Sequence, residues 1–590
     1  MITKFYSVFK SDKMVPLNES QGGKHMKFSE YPYHTIDVKQ AKDTLVKIEK
    51  RLMSAEDYAS FKQAFKDLDA YKKELYTQFS LCEVRHTIDT RNEYYKKEQE
   101  HIDEIAPILQ EDLVRISNVI LESPYRKELE KEIPSTYFLA KEFDKKCFSP
   151  DIIEELQKEN QYSSQYQQLV ASAQIEFEGK KRTLSELEPF MKASNRSMRK
   201  KATKAYWGWF EKHEEELGKI FDSLVKIRTK MAQKLGYKDY TEMGYYRMYR
   251  FDYTKEDVQT YRKQVLDTVV PVTTSLFARQ QKRLGLDALY AWDEKVEFQS
   301  GNPTPKQDAR TMVEIALHMY QELDKDTGKF FQFMVDHELM DLESKPGKAA
   351  GGYCTSFDTY GAPFIFANFN QTSSDVETLT HEAGHAYQAY ASRDIFPSDC
   401  IWPTSESAEI HSMSMEFLTY PWMKDFFKED TRKFYFQHLS DAIKFLPYGI
   451  LVDHFQHEIY AHPEYTHTKR METWRKLEKM YLPHKNYDEI VVLERGGWWM
   501  RQLHIFMDPF YYIDYTLAQV CALQFWSRAQ KRDPNTLKDY KKICKLGGSL
   551  PFRKIVQAAN LKSPFEEGCL NETMKEVQNA LNAITDEELQ

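Results

Sequence analysis

Apolar residues recur at helical spacing through almost the whole chain. The stripes cover residues 37–80, 85–120, 151–178, 195–235, 255–284 and 306–342, interleaved with Lys and Glu. Strand-type patterning is confined to about 345–370. No internal repeat is present. A chain patterned this way folds as a mainly α protein carrying one small β-sheet. Its 590 residues can bury a large core, and length alone allows several domains. Around Lys192–Lys201 the chain turns basic and irregular. That places a boundary near 190, between an N-terminal helical region (26–190) and a second region (191–590). Charge runs such as Glu211–Glu216 read as solvated helix faces.

Residues 381–385 read His-Glu-Ala-Gly-His. On a helix, positions i and i+4 share a face, so His381 and His385 can hold one metal ion. Glu382 sits beside them, placed to handle the proton of a water at that ion. Ser374-Asp375-Val376-Glu377 has the form of a capping box and predicts the helix start. Val376, Leu379, Ala383, Ala386, Tyr387 and Tyr390 give this helix a buried face. Gly384 costs roughly 1 kcal/mol against Ala in a helix. It suits either close approach of substrate or tight packing against another helix.

A hydrolytic zinc site takes three protein ligands and keeps one position open. The donors downstream are Glu406, Glu409 and Glu416, in a segment that also reads as a helix. Glu409 and Glu416 share a face with Ser412 and Met413. Glu409 is the natural third ligand, and Glu416 below it a partner that orients a histidine. Glu406 and Glu416 are open alternatives as ligands. A second His-rich stretch, His457–His462, has i, i+5 spacing, which turns the two rings roughly 140° apart on a helix. Pro463 follows at once, so His454, His457 and His462 read as polar helix-face residues.

Before the metal helix, Gly351-Gly352 and Tyr360–Pro363 are turn signals, and 364–369 is an apolar run of strand type. A strand here, carrying Phe364, Phe366 and Asn368, can pair with an extended peptide through its main chain. The alternative is a buried hairpin that supports the helix.

These blocks together resemble the zinc metallopeptidases of the thimet oligopeptidase and oligoendopeptidase F family, on the oligoendopeptidase branch. The resemblance rests on HEAGH followed 24 residues later by the Glu of SAEIHSMSME, and on the preceding GKAAGGYCTSFDTYGAPFIFANFNQTSSDVETLT. It extends to NRSMRKKATKAYW, LVKIRTKMAQKLGYKDYTEM and LHIFMDPFYYIDYTLAQV, covering about 190–580, and more loosely to HTIDTRNEYYKKEQ. It implies two helical halves around a deep substrate channel, with one zinc ion held by His381, His385 and Glu409. It makes Glu382 the general base. His504, Tyr512 and Tyr515 become the groups that hold substrate and oxyanion, with Tyr511 the neighbouring alternative to Tyr512. Thimet-type members space glycines among these tyrosines. Met507-Asp508-Pro509-Phe510 stands there instead, which puts a glycine-driven loop closure in question.

The chemistry of those groups also stands alone. Donors aimed at a developing oxyanion lower the barrier by a few kcal/mol, and a Tyr hydroxyl stays a donor at neutral pH. In a chain with 37 Tyr, core packing is the competing role for each, and His504 taken alone reads as structural.

Composition narrows the setting. A net charge of −8 with mixed signs argues against nucleic acid as partner. No apolar span reaches membrane length, and residues 1–25 lack the apolar core of a signal peptide. They read as a leader or appended extension, with Met26 a native start. Seven scattered cysteines with no CxxC pair fit reduced thiols in a cytoplasmic protein. Cys354 lies near the expected cleft, where a buried, inert thiol competes with an oxidation-sensitive one.

The expectation is a zinc endopeptidase of short peptides, monomeric or homodimeric. Its rivals are a zinc carboxypeptidase or dipeptidyl carboxypeptidase of related fold, and a peptide-binding protein with a structural zinc.

Overall fold

The computed structural model describes residues 26–589. The leader expected at 1–25 lies outside the described residues. The architecture is mainly α. The N-terminal region is built on four long helices, α1 (Val38–Met53), α2 (Tyr58–Ile88), α3 (Glu93–Glu122) and α4 (Ser135–Cys147), with one short helical turn, Arg126–Leu129, between α3 and α4. Asp37, Asp57 and Asn92 cap the first three by accepting from backbone N–H groups of the first turn. The Asp57 cap is why the stripe over 37–80 splits into two helices.

Two cores form. The smaller one joins Leu45, Phe61, Phe65, Ile116 and Leu129 of the N-terminal helices, and from beyond Phe138 it buries only Cys400 among the described residues. The larger runs from Tyr31 to Leu589. A polar contact ties them: Asp399 pairs with Lys72 and, at 3.0 Å, with Lys141, and Asp69 accepts from the Ser398 backbone N–H at 2.7 Å.

The helical stripe over 151–178 ends early. The helix stops at Ala171, and an antiparallel hairpin follows, β1 (Ile175–Phe177) and β2 (Lys180–Arg182). Glu178 and Gly179 both take positive φ, 52° and 72°, the geometry of a two-residue hairpin turn. The stripe over 306–342 likewise gives helices Ala309–Leu323 and Lys325–Asp336, then the strand β3 (Met340–Glu343).

β3 joins β4 (Tyr353–Phe357) and β5 (Ala362–Phe369) in the order β3-β5-β4. β5 runs parallel to β3 and antiparallel to β4, with Thr355 opposite Phe364 and Tyr353 opposite Phe366. This corrects the expected substrate strand. β5 is central, so both its edges are already paired. Phe364 and Phe366 are buried, and the Asn368 amide donates to the carbonyls of Ala349 and Gly351 at 2.8 Å. The strand with an outer edge beside the metal helix is β4.

Four later helices frame the site, α5 (Ser373–Ser392), α6 (Ser405–Leu418), α7 (Thr431–Ala461) and α8 (Ile513–Gln530). α7 ends at Ala461, directly before His462 and Pro463. His457 lies in a polar cluster with Arg262 and Tyr245, and His454 meets Tyr481. Among the described residues no helix is long and apolar enough to cross a membrane.

Candidate metal centre

The helix that carries the HEAGH sequence begins without the expected capping box. Thr372 is the N-cap and its side chain makes no cap bond. The Asp375 carboxylate reaches back instead, accepting from the N–H groups of Asn370 at 2.9 Å and Gln371 at 2.7 Å. These bonds fix the turn from β5 into α5. A Cβ on Gly384 would meet the His411 carbonyl oxygen and the Ser412 Cα, each at 2.6 Å. The glycine therefore serves close helix packing, and α5 presses the face carrying His381 and His385 onto α6.

That contact brings His381, His385 and Glu409 together, their ligand atoms all within 4.8 Å of one another. His381 Nε2 lies 3.3 Å and His385 Nε2 3.5 Å from the same oxygen, Glu409 Oε2. In a tetrahedral zinc site with metal–ligand distances of about 2.0–2.1 Å, ligand atoms lie about 3.3–3.4 Å apart. The donor set and its spacing fit a divalent ion with one position left open.

The partners of these groups are themselves fixed. Glu416, two turns beyond Glu409, accepts from His381 Nδ1 and from His438 Nε2, both at 2.7 Å. A bonded Nδ1 points Nε2 at the metal position. The other face of His438 meets the Tyr420 hydroxyl at 2.8 Å. Ser412 donates to Glu409 Oε2 at 2.9 Å. Burial pushes the Glu409 carboxyl up, but His385 and His381 outweigh it and hold it well below the usual carboxylate range. Burial lowers the basicity of His381, and Glu409 and Glu416 reverse this and raise it well above its ordinary value. Positive charge is stabilised at this point, where a divalent cation would supply it.

Glu382 is buried, and its Oε2 has no hydrogen-bond partner among the described residues. Burial raises its pKa, opposed by His381 and His385. A Cβ on Gly352 would stand 3.8 Å from Glu382 Oε1, so the approach to β4 passes directly by this carboxylate.

Glu406 is not part of the cluster. It pairs with the buried Arg250 at 3.2 Å, and Arg250 also pairs with Asp514 on α8. Arg250 donates to the Phe510 carbonyl at 2.9 Å as well, while Gln456 accepts from the Phe510 N–H at 2.9 Å. Phe510 holds φ at 70°, a left-handed conformation unusual for a bulky residue. The segment where glycines were expected is thus pinned by hydrogen bonds on both sides.

The kink at Phe510 sets the order of the tyrosines. Tyr511, with its hydroxyl 3.4 Å from Glu409 Oε1, is nearest the metal ligands. Its ring lies 5.2 Å from that of Tyr515 and 5.5 Å from that of His504. Tyr512 sits behind, against Phe445 and Tyr448. Burial, with the charge of Glu409, holds the Tyr511 and Tyr515 hydroxyls protonated. Burial lowers the basicity of His504, whose Nδ1 meets the Gln502 amide at 2.9 Å. Sequence reasoning missed His438 and Gln502, which no motif marks. It named Tyr511 only as the alternative to Tyr512.

Comparison with known proteins supplies the family. The profile of peptidase family M3 matches residues 189–575, and that of the M3 N-terminal domain matches 28–148. The chain is 24% identical over 371 residues to an oligoendopeptidase F homolog of Borreliella burgdorferi, spanning 61% of each protein. It is 23% identical over 382 residues to the group B oligopeptidase PepB of Streptococcus agalactiae, spanning 62% of this chain and 61% of that one. The match thus spans about three fifths of these curated relatives. A solved structure of PZ peptidase A with an inhibitor superposes with a TM-score of 0.90 at 47% identity, covering 95% of this chain and 100% of that one. With more than half its length matched by the family profile, the chain belongs to peptidase family M3.

Proposed function

We propose that this protein is a zinc-dependent endopeptidase of short peptides. The observation that supports this most directly is the junction of two imidazoles and one carboxylate beside a buried, unpartnered Glu382. When bound, the divalent ion supplies Lewis acidity, polarising the scissile carbonyl and acidifying water. His381, His385 and Glu409 would hold it, with Glu416 keeping the His381 ring in register. Glu382, raised in pKa by burial, takes the proton of the attacking water and passes it to the leaving amine. Tyr511 and Tyr515, kept protonated, and His504 donate toward the oxygen on which negative charge develops. Glu382 supports catalysis over a structural ion, since a site that only holds metal has no use for an unpaired carboxylate beside it. As the edge strand of its sheet, β4 offers an extended peptide a pairing edge with little demand on side chains.

The test is cleavage of an end-blocked, internally quenched peptide of about ten residues, before and after chelation and zinc return, the open ligand position being the target. Internal cleavage that chelation abolishes and zinc restores is expected. Glu382→Gln should keep the metal and lose roughly 10²–10⁴-fold in kcat. Full activity in that variant, or cleavage only of peptides with free ends, would overturn the reading.

A further inference from the structure

Arg501 ends a short helical turn, Gly497–Arg501, three residues before His504. Its guanidinium lies over two aromatic faces, 5.7 Å from the ring centre of Tyr206 and 5.5 Å from that of Trp498. Among the described residues it forms no ion pair and donates no hydrogen bond. The nearby Glu188 is engaged by Lys295. This half-buried guanidinium is held by ring faces rather than by a carboxylate, which leaves its hydrogen-bonding capacity unspent.

The position of this cation connects it to the metal centre. Its charge bears on the hydroxyls of Tyr448 and Tyr512. Tyr448 donates to Gln502 at 2.5 Å, and the Gln502 amide meets His504. The His504 ring stacks on Tyr511, whose hydroxyl reaches Glu409. Arg501 is half-buried and directly precedes Gln502 in the chain. The rings of Tyr206 and Trp498 restrict the planar fork, which leaves its N–H groups able to grip a carboxylate in two-point fashion.

We infer that Arg501 is a subsite for a substrate carboxylate. Its first source is the free C-terminus of the peptide, so that it positions the cut at a limited distance from that end. This rests on the peptidase reading above and adds a specificity element to it.

The experiment uses metal-loaded, full-length enzyme and peptides of one sequence ending in a free acid or an amide. A second pair carries Glu or Gln in its C-terminal half. The free acid is expected to have a KM lower by roughly tenfold, the scale of a charge-assisted contact. Arg501→Gln should bring that ratio near one, with kcat on the amide changing less than KM on the acid, and Arg501→Lys should retain part of the preference. If acid and amide behave alike but Glu and Gln differ, the carboxylate recognised is a side chain's. If neither pair is discriminated by the wild type, or if Arg501→Gln keeps the wild-type ratio, the subsite is refuted. The wild-type ratio is informative even if a variant fails to fold. If no peptide is cut at all, the peptidase reading fails and this inference falls with it.

Discussion

The hydroxyl of Tyr511 reaches Oε1 of Glu409 at 3.4 Å, which places a protonated phenol directly beside the metal ligands. Tyr511→Phe removes that donor without removing the ring. A loss of about 10²-fold or more in kcat is expected, with KM moving little, as for a donor used only in the transition state. Tyr512→Phe, behind it, should cost much less. Steady-state kinetics on one peptide compares them, and the reverse order would assign the oxyanion role to Tyr512.

Glu416 bridges His381 and His438. Glu416→Gln offers one acceptor and one donor where two imidazole N–H groups need accepting. Metal affinity should fall roughly 10–100-fold, measured by competition with a chromogenic chelator. Unchanged affinity would mean that His381 is oriented by packing alone.

Gly384→Ala places a methyl group 2.6 Å from backbone atoms of His411 and Ser412. Neither neighbour can rotate away, so α5 and α6 must separate. A cost of about 1–3 kcal/mol is expected, together with weaker metal binding, because the ligands sit on the two helices being pushed apart. Thermal melts with and without zinc read both effects. A variant as stable as the parent would show that the interface yields.

Acid should weaken the junction between α7 and the helix Lys255–Gln264. Burial pushes the Asp453 carboxyl up, but His457 and Arg262 outweigh it and bring it to about 2, below the ordinary 3.8. The unfolded chain then holds the extra proton, so the stabilisation is complete above the ordinary value and is lost as pH falls through 2. It amounts to about 2 kcal/mol. Urea titrations should show Asp453→Asn less stable than the parent at pH 7, the gap closing toward pH 2. A constant gap would assign the difference to packing.

Much of the site could be read from spacing because two helices carry it. On α5 the i, i+4 rule brings His381 and His385 to one face, and on α6 the i, i+7 rule stacks Glu416 beneath Glu409. Tyr511 escaped the same reasoning. It lies before α8 begins at Ile513, and the left-handed Phe510 turns it, so helical spacing from Tyr515 selects Tyr512 while the hydroxyl beside Glu409 is that of Tyr511. His438 is 22 residues from the carboxylate it meets, in a helix with no distinguishing pattern. The strand error has a topological origin. Apolar alternation marks β5 as a strand, but its partners on both sides are set by chain order in the sheet, which local composition does not encode.

The two cores described above bear on how the molecule comes apart. Among the described residues, the N-terminal helices bury an apolar cluster that takes only Cys400 from beyond residue 138, with Ile395 and Phe396 packed alongside, but α2 continues out of it and buries Leu81 and Val84 in the larger core. Rings cross the seam as well, Phe143 meeting Tyr246 and Phe251, and its ion pairs, Asp399 with Lys72 and Lys141, are largely buried, so salt screens them little. With α2 built into both clusters, heating should melt them together, and a calorimetric trace with one cooperative transition, little moved by ionic strength, is the expected result.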